Sequence, residues 1–481
     1  MRKRNPTRPR GVGARRVAFF AHERAGAAAE GKRPGAGALR RALFGLVCLV
    51  CAAMILGAAT AADAQQVRRI TFHEAVEIAL AQNNALRRAE NAGELDRIGV
   101  AEARADFLPD LSLSLSGSRP FESSADGSSV RAGLSAGMTL FNGFANTSDL
   151  RAARLEQEAG ELDIERTRQT VVFDVITGYL ALIEAQEQVR VREENLQAQE
   201  KQLESIDALV EGGERPISDR YQQQSSVASA RLGLVEARRS LDLARVDLVQ
   251  ALQLDPTREY EFEIPPLPPA PAGQTPIGWE EVLARAFERR SDLQAQRSRV
   301  ESASVGERVA RSGRWPRISL SAGYGADYAA RLDGSLFDQF DETRGGSVSL
   351  SLSLPLFDRF GTSHSVARAK IATENQNIAL QDLRQDVALQ VRRAVLDRNA
   401  AAERLQAAQA QALAAEKALE FTSQRYEAGV ATLYEVTLAR ADFVAATSAS
   451  VNARYNLLWQ DRLLDYYKGD LDPSGELAEG S

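Results

Sequence analysis

One plan is written twice in this chain. Ile70 to Ser118 lies over Ile277 to Gly325 at a constant offset of 207 residues, matching Glu74/Glu281, Leu86/Leu293, Gly99/Gly306, Arg104/Arg311 and Pro109/Pro316. After a short shift the offset becomes 216. Leu140-Phe141 then meets Leu356-Phe357, Arg168-Gln169 meets Arg384-Gln385, Glu200-Lys201 meets Glu416-Lys417, and Gly213 meets Gly429. A duplicated unit of this length points to a pseudo-symmetric assembly rather than to a single cleft.

The first 64 residues differ from the rest: they hold 12 of the 59 Lys and Arg and 3 of the 65 Asp and Glu. A basic stretch leads into the apolar run Leu43 to Leu56, and small residues follow up to Ala62-Asp63-Ala64. That order reads as a secretory signal cleaved after Ala64. The alternative is an uncleaved membrane anchor, but the run is short of the ~20 residues a spanning helix needs. Removal of the signal leaves a net charge near −15, a poor basis for binding nucleic acid. Cys48 and Cys51 leave with it, so the mature chain has no disulfide and no thiol.

Each repeat reads helix, strand, strand, long helix, return helix. The opening helices are expected over 72–106 and 279–312, each stopped before a proline, Pro109 or Pro316. The period then changes to two. Leu111, Leu113 and Leu115 alternate with serines, as do Val348, Leu350 and Leu352, and the partners run 130–140 and 318–321. Gly/Ser/Asp-rich loops, 117–129 and 325–346, separate the members of each pair. A soluble sandwich with one wet face would show the same alternation. Export, and four strands too few to hide their own edges, favour a closed membrane barrel. Three chains would supply 12 strands, each close to the length of a tilted membrane strand.

A proline-free helix is expected from Ala145 to Glu211, and a second from about Ser363 to Glu427. In the first, Val175, Leu182, Val189, Leu196, Leu203 and Val210 recur every seven residues, which implies coiled packing against a neighbour. In the second, Arg398 and Ala412 interrupt that seam. Gly213 and Gly429 end the two helices and reverse the chain into return helices over 218–252 and 433–467. The opening helix of each repeat is expected to stack end to end with the return helix. The expected organisation is a signal over 1–64, repeats over 65–254 and 277–468, a proline-rich linker over 255–276, and a polar tail over 469–481.

The Pro-led strands at Pro109 and Pro316, the closing segments Leu140-Phe141-Asn142-Gly143 and Leu354-Pro355-Leu356-Phe357-Asp358, and Arg425-Tyr426-Glu427-Ala428-Gly429-Val430 before Leu433-Tyr434-Glu435-Val436 together resemble the TolC-type outer-membrane efflux proteins. The resemblance covers roughly residues 68–470. It implies an α+β membrane protein: a homotrimer whose 12 strands form a barrel in outer-membrane lipid and whose helical hairpins form a periplasmic tunnel. It further implies a periplasmic adaptor and an inner-membrane pump of RND, ABC or MFS type as partners, and a passive export duct in efflux or type I secretion. Acidic side chains past the second turn ring the entrance in that family. Glu435 matches the first such position, while the next, Leu438, is not acidic. Tyr426 matches an aromatic used to hold the entrance shut, and a basic residue often found two positions after the glycine is Ala431 here. Asp219 is the alternative constriction residue in the first turn.

Catalytic signals are sparse. His73 and His364 are the only histidines outside the signal, and no Gly-rich phosphate loop follows a strand; Gly143 and Gly361 read as strand-to-helix turns. No enzyme activity, cofactor or metal site is expected. Two other classes compete: a periplasmic adaptor anchored in the inner membrane by residues 43–56, and a structural coiled-coil surface protein.

Overall fold

The structure, a computed structural model, describes residues 68–119, 121, 127–264, 276–330 and 335–471, all within one unit spanning Val67–Ser481. The signal, residues 265–275 of the proline-rich linker and the end of the tail lie outside the described residues.

The chain begins with β1 (Arg68–Ile70), α1 (Phe72–Gln82) and α2 (Asn84–Ala105), then β2 (Asp110–Ser118) and β3 (Ser129–Asn142). The long helix α3 (Ala145–Glu211) and its return α4 (Ile217–Ala251) follow, with β4 (Tyr260–Phe262) in the linker. The order then recurs: α5 (Trp279–Arg289), α6 (Ser291–Ser312), β5 (Arg317–Ala329), α7 (Leu336–Thr343), β6 (Gly345–Ser353), α8 (Gly361–Glu427) and α9 (Leu433–Lys468). Helices α3 and α8 are each 67 residues, about 100 Å at 1.5 Å per residue.

The sequence predicts single opening helices, and the structure breaks each in two. Asn83 and Arg290 take extended backbone, with ψ of 122° and 119°. Asn83 then caps the next helix, its Oδ1 accepting from the N–H groups of Ala85 and Leu86. Further elements depart from expectation. β1 pairs in parallel with β4, burying Ile70 and Phe262 beside Tyr179. β5 runs through Ala329, into the expected loop, and α7 takes up Leu336–Thr343 of that loop behind a Ser335–Asp338 capping box. In the second strand-to-helix turn the left-handed residues are Arg359 and Phe360, not Gly361; in the first they are Gly143 and Phe144.

Strands β2-β3-β5-β6 form one antiparallel sheet in that order. Its register segregates residue types. One face carries Ser112, Ser114, Ser135, Ser319, Ser321, Ser349 and Ser351, joined across strands by hydroxyl bonds such as Ser112–Ser135 and Ser321–Ser349 at 2.7 Å. The other carries Leu111, Leu113, Leu115, Leu350 and Leu352, each about two-thirds or more exposed in the protomer.

The helices form a single layer. Near the sheet the order is α2–α3–α6–α8, and near the turns it is α4–α3–α9–α8. Thus α2 and α4 stack end to end along α3, joined by a 2.8 Å bond from Asn84 to Gln253. α5 and α9 meet at the Arg289–Asp470 ion pair. Gly93 and Gly160 face each other's helix, where a Cβ would meet the side-chain ends of Ile164 and Asp96. The joint of α3 with α6 is ionic, through Arg151–Glu301 at 2.6 Å, Arg299–Asp163, and Arg166 beside Asp292. Burial would raise the Asp292 carboxyl, but the Arg290 and Arg166 guanidiniums outweigh it and hold it below the usual carboxylate range.

Along α3, Val175, Leu182 and Val189 are buried and Leu196, Leu203 and Val210 half-buried. At the matching place in α8, Arg398 is buried and donates to Asp461 of α9 at 2.8 Å. The interrupted seam is therefore completed by an ion pair.

Candidate functional site

The two hairpin turns lie together at the ends of α3 and α8. Both follow the same backbone rule. Gly213 and Gly429 have φ of 78° and 76°, a region closed to most L-residues. The following N–H groups reach back five residues, Glu214 to the Leu209 carbonyl at 2.9 Å and Val430 to the Arg425 carbonyl at 2.8 Å. This closes the orphan carbonyls at each helix end. Pro216 starts α4 without a side-chain cap, whereas Thr432 caps α9 by accepting from the Glu435 N–H at 3.3 Å.

A small apolar cluster joins the turns: Ile206 of α3 with Tyr426, Ala431, Leu433 and Val436 of the second turn. Tyr426 is 4% exposed, and burial pushes its phenol up. Among the described residues its hydroxyl has no hydrogen-bond partner. The ring is held instead by Arg215, whose Cζ stands 4.3 Å from the ring centroid and whose Nη2 donates to the Tyr426 carbonyl at 3.0 Å.

Glu435 is exposed in the first turn of α9, with Arg425 at 3.9 Å. It borders a groove of about 590 Å³ between α8 and α9, which Leu438 and Asp442 also line. Glu435, Leu438 and Asp442 stand at i, i+3 and i+7, one helix face. Asp442 thus continues the acidic face that Leu438 interrupts. Sequence reasoning missed it, although the helical spacing was readable. Asp219 occupies the first turn of α4, its Oδ1 accepting from the Ser218 hydroxyl at 3.4 Å. Its neighbour Arg220 pairs with Asp207 and Glu211 of α3 at 2.7 and 3.3 Å. The structure therefore brings Tyr426 into contact with the first turn, while Glu435 stands on the groove side of the second.

His73 is exposed beside Glu77 at 3.4 Å. Among the described residues no helix is long and apolar enough to cross a membrane, a statement about helices that does not bear on the sheet.

A four-stranded sheet with one exposed apolar face, feeding long helical hairpins, is the build of an outer-membrane channel protein. The family model for outer membrane efflux proteins matches residues 75–253 and 282–465, well over half of the chain, and the chain belongs to that family. It is similar to protein CyaE of Bordetella pertussis, 26% identical over 81% of this chain and 81% of that protein. Outer membrane protein TolC of Escherichia coli K12 is 24% identical over 79% and 78%. Among solved structures, the open state of the MtrE outer membrane channel of Neisseria gonorrhoeae superposes with a TM-score of 0.69 at 23% identity, covering 85% of this chain and 89% of that one. Family membership decides against the periplasmic adaptor and the surface coiled coil.

Proposed function

We propose that three copies of this chain close into an outer-membrane export duct, a 12-stranded barrel continued by a periplasmic helical tunnel, which conducts substrate passively. One observation carries the reading: the protomer has two unfinished flanks. β2 and β6 are the edges of the sheet, and every residue of both is exposed. The same flanks end in helices with a partner on one side. On one, α2 and α4 pack chiefly on α3; on the other, α8 packs on α5, α6 and α9. These helices also leave apolar side chains uncovered: Leu95 of α2, Leu232 and Val246 of α4, and Ile371, Leu396 and Leu413 of α8 are all about 60% or more exposed. An exposed sheet edge and exposed apolar side chains call for a cover. The two flanks differ, so the contact is head-to-tail, and such a contact closes only as a ring.

The sheet fits a bilayer. Its apolar face would meet lipid and its serine face a water-filled lumen. Aromatic pairs Phe141–Phe144 and Phe357–Phe360 stand edge-to-face at its helix end, with Tyr324 and Phe337 exposed toward the other, an arrangement suited to two interfacial belts. A signal cleaved after Ala64, and the division into repeats over 65–254 and 277–468, belong to the same reading. Glu435 and Tyr426, with Asp219, would lie at the tunnel entrance. The partners are a periplasmic adaptor and an inner-membrane pump of RND, ABC or MFS type. A role in protein secretion is supported by similarity to the alkaline protease secretion protein AprF of Pseudomonas aeruginosa, 24% identical over 63% of this chain.

Native mass measurement of the detergent-purified protein tests this. Three copies, each beginning at Gln65, are expected. A stable monomer would end the duct reading, and a retained 43–56 segment would end the signal reading.

A further inference from the structure

Strand β5 outruns the strand beside it. Its pairing with β3 continues to Ala329, whereas its pairing with β6 stops at Gly325, opposite Gly345. Beyond that point α7 takes the place of a strand. The Thr343 hydroxyl accepts from the Asp327 N–H at 2.9 Å and donates to the Asp327 carbonyl at 2.7 Å, as a ladder partner would. Gln339 is 2% exposed and accepts from the Ala329 N–H at 2.9 Å. These are the groups that a bare strand edge leaves open. Half-buried Leu336 and Phe340 complete the stripe toward β5. Helical spacing therefore turns Asp338 and Asp341 away from β5, with Phe337 and Glu342 beside them, and all four are exposed.

Helix α7 thus stands in line with β6, on the flank that the duct reading closes with β2 of the next protomer. β6 and β2 are each nine residues long. Laid antiparallel and end to end, they bring Gly345 beside Ser118 of the next protomer. α7 then lies beside the chain just past Ser118. That chain carries Arg119 and Phe121, both exposed, and Arg119 has no ion-pair partner among the described residues. Its charge is complementary to the outer face of α7.

We propose that α7 is a clasp between protomers at the far end of the barrel: its acidic face receives Arg119 of the next protomer, and Phe337 lies beside that protomer's Phe121 in the aromatic belt. The proposal rests on the three-copy duct reading and adds to it a contact outside the strand ladder. Within one protomer the two groups stand apart, because β3 and β5 lie between β2 and α7. The clasp has a consequence for register. A one-residue slip of β2 against β6 would exchange the serine and leucine faces, but a two-residue slip would keep them. The two-residue slip carries Arg119 about 7 Å along the seam, so the clasp fixes the register that face alternation leaves open.

Outside the signal the chain has no cysteine, so engineered thiols report the contact directly. Arg119→Cys with Asp341→Cys, treated in outer-membrane fractions with a short bifunctional thiol reagent, should give covalent dimers and trimers on a denaturing gel. Neither single variant should do so. Adding Thr343→Val, which loosens α7 from β5, should lower the yield severalfold while native mass still shows three copies. Arg119→Glu should speed subunit exchange between differently labelled trimers about fivefold, and Arg119→Glu with Asp341→Arg should restore most of the loss. Three copies by native mass, with no covalent dimer from the double-cysteine variant, would overturn the clasp and leave the duct standing. If in addition the thiol at 341 reacts with a lipid-soluble maleimide, the outer face of α7 belongs to lipid instead. A monomer by native mass would overturn the duct and the clasp together.

Discussion

The two hairpin turns share a backbone and run their ion pairs in opposite senses. Both place a left-handed glycine after a 67-residue helix. In the first turn the ion-paired acids, Asp207 and Glu211, sit on the outgoing helix and their base, Arg220, on the return, beside Asp219. In the second the base, Arg425, is outgoing and the acid, Glu435, returns. Their surroundings differ as well. α9 lies between α3 and α8, so Leu433 and Val436 are buried, whereas α4 lies on an open flank, with Ile217 and Tyr221 about 60% exposed. The conformation of a turn is thus set locally by glycine, while its side chains are set by which neighbour the helix layer supplies.

Exchanging residues between the turns breaks this comparison most sharply. Val436 is 3% exposed and matches Arg220 at the 216-residue offset. Val436→Arg copies the first turn into the second and buries a charge without a partner. It should destabilise the tip by about 3–5 kcal/mol, read as loss of amide protection over 424–440. The reciprocal Arg220→Val, on the open flank, should give a much smaller change. Comparable losses from both would mean that the flank of α4 is already covered at the tip.

A milder test isolates the backbone. A Cβ added to Gly213 or Gly429 meets nothing within 4 Å, so Gly→Ala costs only the left-handed conformation. Each variant should lose about 1 kcal/mol, and the two losses should agree closely. Unequal thermal shifts would show that one turn is strained by its packing.

Most of the helical frame was legible because its signals are local and long. Absence of proline, a seven-residue seam and a terminal glycine place α3 at Ala145–Glu211 without reference to any neighbour. The breaks at Asn83 and Arg290 were not legible as breaks, since neither residue is glycine or proline and helical periodicity resumes at once. The three-residue strands β1 and β4 are too short to show a period; only their pairing, 192 residues apart, buries Ile70 and Phe262. The capping box that begins α7 could have been read from Ser335 and Asp338. At the entrance, the glycines and Tyr426 were readable from the turns themselves. The contact with Arg215 was not, because it joins residues 211 apart and belongs to the packing of one hairpin against the other rather than to either turn.

The smallest structural effect, and the most specific functional one, belongs to the acidic face of the second turn. Glu435 is exposed and its ion pair with Arg425 is long at 3.9 Å, so Glu435→Gln should change stability by no more than about 0.5 kcal/mol. Its field is another matter. In a three-fold ring, three Glu435 and three Asp442 carboxylates would line one constriction, and charge rings of this kind select cations. Removing one of two acids per protomer should lower the cation-over-anion permeability ratio about twofold, and Glu435→Gln with Asp442→Asn should lower it further. The same pair of changes at the first turn, Asp219→Asn and Asp207→Asn, should leave the ratio nearer wild type, because Asp207 is already neutralised by Arg220 at 2.7 Å. Reversal potentials in asymmetric salt decide between them. If the first-turn pair proves the stronger, the constriction lies on the α4 side and selectivity belongs to Asp219, which holds the place in the first turn that Glu435 holds in the second.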